Sequence, residues 1–266
     1  MIAPSPPGYC DTEAPLPREY YTFKRIAKDL TSLLSALGVS KAIYIGHDWG
    51  SVIVQRIALW YPERVLAVGV ICVPFLRVQS KFIPVKELVK ISPTLTYQMW
   101  LTSPDCERTL SNPDMIQKFL KVAFSIRGDT HSNWNSGTNF LETYNEPPVG
   151  QLWEQEDPAV WQYYLSCFQK KGSLRGPLTY YKTRDLNYRD ELEIVDTARI
   201  QCPAMFIGAA KDMACPPHTW GRQEWVSQLE RYAVRGGHWC LVENEGKEIA
   251  PIIQGWIARV SRTSKL

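Results

Sequence analysis

Gly46-His47-Asp48-Trp49-Gly50 follows the apolar run Ala42-Ile43-Tyr44-Ile45 and precedes Ser51-Val52-Ile53-Val54-Gln55-Arg56-Ile57-Ala58. The pattern is strand, sharp turn, helix. Its spacing, small residue, any residue, acid, any residue, glycine, is that of an elbow that lifts a nucleophile to the top of a sheet. Small residues flank such a turn because the nucleophile's backbone is held in a strained conformation. The Asp48 carboxylate would stand beside a helix N-terminus, whose partial positive charge favours it. A carboxylate nucleophile attacks saturated carbon and leaves an ester on the protein, so oxirane and carbon–halogen bonds are natural targets. The alternative reading is an ordinary strand-to-helix loop with a capping aspartate.

Outward from the pentapeptide, residues 1–76 alternate strand and helix. Thr22 is expected to cap a helix with an apolar face of Phe23, Ile26, Leu30, Leu33, Leu34 and Leu37, stopped by Gly38. A strand over 41–46, a helix from about 50 to 60 and an apolar strand from Leu66 to Val73 follow. Continuous apolar strands between helices mean a parallel sheet covered on both faces. Residues 77–190 lose this alternation and read as helical, with long polar connections, notably from Arg127 to Gly150. Residues 200–209 restore a buried strand, Leu229 to Val234 suggest another, and an amphipathic helix over 247–260 closes the chain. The expected division is an α/β core over 1–76 and 191–266, interrupted by a helical cap over 77–190.

Two further groups stand after the downstream strands. Lys211-Asp212-Met213 follows the strand ending near Ala210, and Arg235-Gly236-Gly237-His238-Trp239 follows the one ending near Val234. Both Asp212 and His238 would lie at carboxyl ends of parallel strands, where open α/β sheets bind ligands. Nucleophile, acid, histidine is the chain order of the α/β-hydrolase fold. Taken singly, such an aspartate is usually a turn former and such a histidine a structural residue; the order and placement together make a catalytic set of Asp48, Asp212 and His238.

Composition narrows the classes. The chain has 266 residues, 45% hydrophobic and 21% charged, and a net charge of +3 without a basic run. That is ordinary globular material and offers nothing to nucleic acid. The 7 cysteines form no C-x-x-C pair and the sequence opens without an apolar leader, so free thiols and a reducing compartment are expected. The 4 histidines have no metal-ligand spacing, and no apolar run approaches a membrane span. No metal or organic cofactor is expected.

At this point the sequence resembles the epoxide hydrolases of the α/β-hydrolase superfamily along nearly its whole length. The likeness rests on Ile2-Ala3-Pro4 with Gly8-Tyr9, Gly46 to Gly50, Tyr61-Pro-Glu-Arg-Val65, Pro74-Phe75, Tyr97-Gln98, Arg175-Gly-Pro-Leu178 with Tyr180-Tyr181, Lys211-Asp212 and Gly237-His-Trp239. It implies that two tyrosines of the cap hold the epoxide oxygen, Tyr97 before its glutamine and Tyr181 two residues beyond the Arg-Gly-Pro-Leu turn. Where the family has Asn-Trp-Tyr-Arg this chain has Thr179-Tyr180-Tyr181-Lys182, which leaves Tyr180 as the fallback. The Trp49 amide is implied as an oxyanion donor. A haloalkane dehalogenase-like hydrolase is the neighbouring enzymatic reading, and a catalytically weak binding or pathway-accessory protein the non-enzymatic one.

The front departs from the family. Its members carry a preceding segment with several strands, a helix and a His-Gly-x-Pro loop, and Met1 here aligns with the end of their fourth strand. The expected consequences are an unpaired edge along residues 42–45, self-association or poor solubility, and slow turnover, since losing one oxyanion donor costs about 10²–10³ in rate. At the other end, Ser264-Lys265-Leu266 reads as a peroxisomal address recognised by the import receptor. Short hydrolases with such tails resemble those of fungal secondary metabolism, including toxin pathways that build epoxy fatty acids. The expected partners are a small epoxide and that receptor.

Overall fold

The computed structural model describes residues 1–124, 137–139, 141, 158–170, 172, 174–242 and 246–263. Most of the polar stretch expected over 127–150 lies outside the described residues, as does Ser264-Lys265-Leu266. The chain divides into two compact units, one of Met1–Thr22 with Ile83–Leu186, the other of Phe23–Phe82 with Asn187–Leu266.

The second unit is the α/β body. Helix α1 (Phe23–Ala36) leads into strand β1 (Ala42–His47), helix α2 (Trp49–Trp60) and strand β2 (Val65–Ile71); β3 (Ile200–Ala209) and β4 (Val226–Val234) follow. The four strands form one parallel sheet in the order β1-β2-β3-β4. The register sets His47 beside Ile71, and Ile71 beside Ile207, so the carboxyl ends of neighbouring strands rise together. β2 is buried almost throughout, as a β-branched apolar run in a central parallel strand should be. β1 is half-buried along its whole length and holds one edge of the sheet among the described residues. Ile71, Met205 and Ile207 pack with Ile249 and Trp256 of the last helix, Gly246–Thr263.

α2 is the element that fixes the turn. Residues Ser51 to Ala58 are all buried, so the polar ones need internal partners. The Ser51 hydroxyl lies 2.8 Å from the Gly46 carbonyl and 2.9 Å from that of Ile71, and it accepts the Ile71 N–H at 3.1 Å. One side chain thus ties β1, the turn and the end of β2 together. The Arg56 guanidinium meets Glu191 at 2.7 Å, both buried.

α1 departs from expectation in two ways. Leu33 and Leu37 face out, and the buried side is Phe23, Ile26, Ala27, Thr31 and Leu34. The apolar set spans a wider arc than the covered face. The first N–H of the helix is capped by Asn187 Oδ1 at 2.8 Å rather than by Thr22, whose hydroxyl turns back to the Glu19 carbonyl.

The first unit is helical. It holds Val85–Ile91, Tyr97–Leu101, Pro104–Thr109, Pro113–Phe124, Pro158–Gln169 and Arg175–Thr179. Its other member is the opening segment 1–22, which the expected division placed with the α/β body. The reason is local. Gly8 backs onto Gly176 so closely that a Cβ on either would come within 3.0 Å of the other's backbone. Arg175 donates to the carbonyls of Ala14 and Pro15, and the Tyr180 hydroxyl donates to that of Pro7. The Arg-Gly-Pro-Leu turn is therefore built to receive the segment.

Candidate active site

Asp48 sits between β1 and α2 with φ 52° and ψ −121°, a left-handed conformation that an L residue adopts only under constraint. The constraint is steric as well as hydrogen-bonded. A Cβ on Gly46 would lie 2.1 Å from the Gly50 carbonyl oxygen, so the turn closes only with glycine there. Asp48 makes no side-chain cap to α2, which sets aside the capping-aspartate reading. Its carboxylate instead lies 3.1 Å, through Oδ1, from His238 Nε2, and the adjacent Trp49 N–H helps to favour its charge. The Asp48 side chain is 30% exposed, enough to meet a ligand. The Trp49 ring packs on Phe23 at 5.7 Å between centroids.

His238 follows β4 and Asp212 follows β3. The Asp212 side chain is fully buried; its Oδ1 accepts the N–H groups of Ala214 and Cys215 at 2.8 and 3.0 Å, and its Oδ2 accepts His238 Nδ1–H at 2.9 Å. A carboxylate so held fixes which imidazole nitrogen carries the proton and leaves Nε2 aimed at Asp48. Burial opposes both negative charges, but the His238 charge and hydrogen bonds outweigh it, and both carboxyls titrate below their ordinary range. Burial likewise opposes a charged His238, yet the two aspartates hold its proton well above the usual imidazole value.

The sequence reading did not give roles to three neighbours. Ser51 stitches the turn. His47 donates from Nε2 to the His238 carbonyl at 2.7 Å, and Cys72 Sγ lies 3.3 Å from the same oxygen. The rule that ligands gather at carboxyl ends of parallel strands would have flagged Cys72, which directly follows β2. Among the described residues, His47, Cys72 and His238 bring metal-ligating atoms within 4.8 Å of one another.

The tyrosines belong to the helical unit. Tyr97 opens the helix Tyr97–Leu101 and Tyr181 lies in the short turn Tyr180–Lys182. The structure brings these two together, edge to face, with ring centroids 6.4 Å apart. Tyr180 is different. It is 2% exposed, its hydroxyl is spent on Pro7, and burial pushes its proton far up. It serves the packing of the opening segment, wedged against Tyr9 and Tyr21.

An elbow aspartate with a histidine and a second aspartate behind it, at the carboxyl ends of β1, β4 and β3 of one parallel sheet, makes a nucleophile–histidine–acid arrangement built around a carboxylate. The family profile described as the alpha/beta hydrolase fold matches residues 1–245, and the chain belongs to that family. Among relatives, the bifunctional epoxide hydrolase 2 of Sus scrofa is 30% identical over 98% of this chain and 47% of its own length. The chain thus spans about half the length of the mammalian relatives it matches. Epoxide hydrolase srdG of Neurospora crassa is 24% identical over 97% of this chain and 79% of its own. The crystal structure of epoxide hydrolase A from Mycobacterium thermoresistibile superposes with a TM-score of 0.77, at 24% identity, over 95% of this chain and 80% of that one, a likeness of fold.

Proposed function

We propose that this chain hydrolyses an epoxide to a vicinal diol through an ester on Asp48. The observation that carries the reading is a carboxylate, where a hydroxyl nucleophile would serve acyl transfer, on the elbow and 3.1 Å from a histidine backed by a buried acid. The Asp48 oxygen attacks a ring carbon, the carbon–oxygen bond of the ring breaks, and the alkoxide takes a proton from a tyrosine hydroxyl. The resemblance assigns that role to Tyr97 and Tyr181, which pair within their unit. The result is a hydroxyalkyl ester.

Esterification removes the Asp48 charge. One of the two supports of the His238 proton is then gone, and its affinity for the proton falls toward what Asp212 and burial set. His238 passes its resting proton to the tyrosinate left by ring opening and so becomes a base at the moment a base is needed. It takes a proton from water, the hydroxide adds to the ester carbonyl, and the Trp49 N–H stabilises the oxyanion. Collapse sends the acid proton of Asp48 to the departing diol oxygen and restores the Asp48 carboxylate; the proton taken from water stays on His238, which is back in its resting charged form. One water is consumed per epoxide.

The test is a single turnover in ¹⁸O water with enzyme in excess over a simple aryl or alkyl oxirane. The expected product is a diol whose new oxygen is unlabelled, with ¹⁸O left in Asp48. A diol labelled at once from water would overturn the ester, and halide release from a haloalkane without diol formation would favour the dehalogenase-like reading. The Neurospora likeness supports an epoxide as the substrate. We also propose a peroxisomal destination: a fluorescent reporter ending in Ser264-Lys265-Leu266 should become punctate, and the same reporter without Leu266 diffuse, with diffuse signal from both removing the assignment.

A further inference from the structure

Asp212 fixes the His238 ring at Nδ1 but does not hold the backbone that carries it. That backbone follows Gly236-Gly237, glycines with wide φ/ψ freedom whose carbonyls accept the N–H groups of Lys211 and Cys240 at 3.0 and 3.2 Å, bonds that stop short of the His238 peptide itself. We infer that His47 and Cys72 are positioning residues that clamp the His238 carbonyl oxygen from the nucleophile side and so set the distance between Nε2 and Asp48.

A carbonyl oxygen only accepts. His47 Nε2, 2.7 Å from it, must therefore carry the proton, and Nδ1 holds the lone pair. Burial, with the neighbouring His238, holds the His47 proton affinity down to about 4, so the ring is neutral when it donates. That neutrality matters, since the two rings lie 5.0 Å apart and His238 carries the positive charge of the cycle. Cys72 supplies the second donor at 3.3 Å. The adjacent Cys240 thiol, 3.5 Å away, and burial push the Cys72 proton well up, so the thiol keeps the hydrogen it donates.

Two observations say the arrangement is built rather than incidental. Cys72 has φ 65°, a left-handed conformation that costs a cysteine strain, and its N–H is pinned to the Ile207 carbonyl at 2.9 Å. Trp239 packs against both imidazoles, with centroids 5.6 Å from His47 and 5.3 Å from His238. The clamp also explains why His47 and Cys72 crowd close to the His238 ring: both converge on the carbonyl of that residue. His47 is the residue before the nucleophile, so the elbow that aims Asp48 also holds its partner. A misplacement of about 1 Å at such a contact costs about 10²-fold in rate.

The inference rests on the Asp48 ester for its kinetic arm and on nothing but the structure for its exchange arm. In the full chain, His47→Leu should speed amide hydrogen exchange in the peptide 236–241 by about 10-fold or more, with distant peptides unchanged. Ester formation on Asp48 should stay within about 3-fold of wild type while ester hydrolysis slows about 10–100-fold, because only the second step needs His238 aligned as a base. His47→Gln, which keeps an N–H donor of similar reach, should restore both. Cys72→Ala should give a smaller effect of the same kind and Cys72→Ser should restore it. The clamp is overturned if exchange at 236–241 is unchanged in His47→Leu. Equal failure of His47→Gln and His47→Leu, or parallel loss of both chemical steps with exchange raised everywhere, would also overturn it and leave His47 a merely structural residue. If wild type itself forms no ester, the proposed reaction fails, and the exchange arm still decides the clamp.

Discussion

His238→Gln should stall the protein at a covalent ester on Asp48. Ring opening needs the Asp48 anion and a proton donor, and neither is His238. Ester hydrolysis needs a base, and glutamine is none, so that step should slow by about 10²–10⁴. Intact mass after mixing with an oxirane should rise by the mass of the substrate in nearly every molecule, and peptide mapping should place the addition on Asp48. Asp48→Ala should show no adduct and no turnover. An adduct on another residue, or none in His238→Gln under conditions where wild type makes diol, would reject Asp48 as the nucleophile. The two steps should also part company with pH. The His238 charge and hydrogen bond hold the Asp48 carboxyl below its ordinary range, so adduct formation should persist as pH falls through that range. Hydrolysis requires neutral His238 in the ester and should fail first on the acid side.

The grouping of Asp48, Asp212 and His238 was legible because its signals are local in sequence and repeat a simple rule. Each member stands near the carboxyl end of a strand: Asp48 immediately after Ala42–His47, Asp212 soon after Ile200–Ala209, and His238 soon after Val226–Val234. Strands of β-branched and apolar residues declare themselves, and the first few residues after them are where a parallel sheet presents chemistry. Helix α2 was equally plain, since an apolar run of that length has to be buried.

Less legible were contacts made between segments distant in the chain. Nothing near Thr22 says that Asn187, 164 positions downstream of Phe23, will cap α1 in its place. Nothing in Leu33 and Leu37 separates them from the buried Leu34, because the width of a covered face is set by what packs on it and not by the helix. The opening segment looked like core because it is followed by core; its partners are the Arg175-Gly176 turn and Tyr180. His47 was quoted in the motif without a role for the same reason: its acceptor lies 191 positions away.

The tyrosines carry the second large effect, and the structure sharpens it. If the proposed reaction holds, removing the hydroxyl of Tyr97 or Tyr181 takes away one of two donors to the epoxide oxygen, so each Tyr→Phe variant should slow ester formation by about 10–10³, and the double variant by nearly the whole general-acid contribution of about 10²–10⁴ or more. Ester hydrolysis, which does not draw on the ring oxygen, should change far less, and burst kinetics would separate the two steps. Tyr180 gives the control. Its hydroxyl donates to the Pro7 carbonyl at 3.0 Å within a buried site, so Tyr180→Phe deprives that carbonyl of its donor, a loss of about 1–3 kcal/mol of stability. Thermal unfolding should register that loss while ring opening stays near wild type. The reverse pattern, with Tyr181→Phe silent and Tyr180→Phe crippling ester formation at unchanged stability, would shift the assignment by one residue. It would also mean that the Pro7 contact gives way when substrate arrives. The resting geometry argues against that, since Tyr9 and Tyr21 close on Tyr180 from two directions, at 5.8 and 5.5 Å between centroids, and moving it would unseat the segment that carries Gly8 against Gly176.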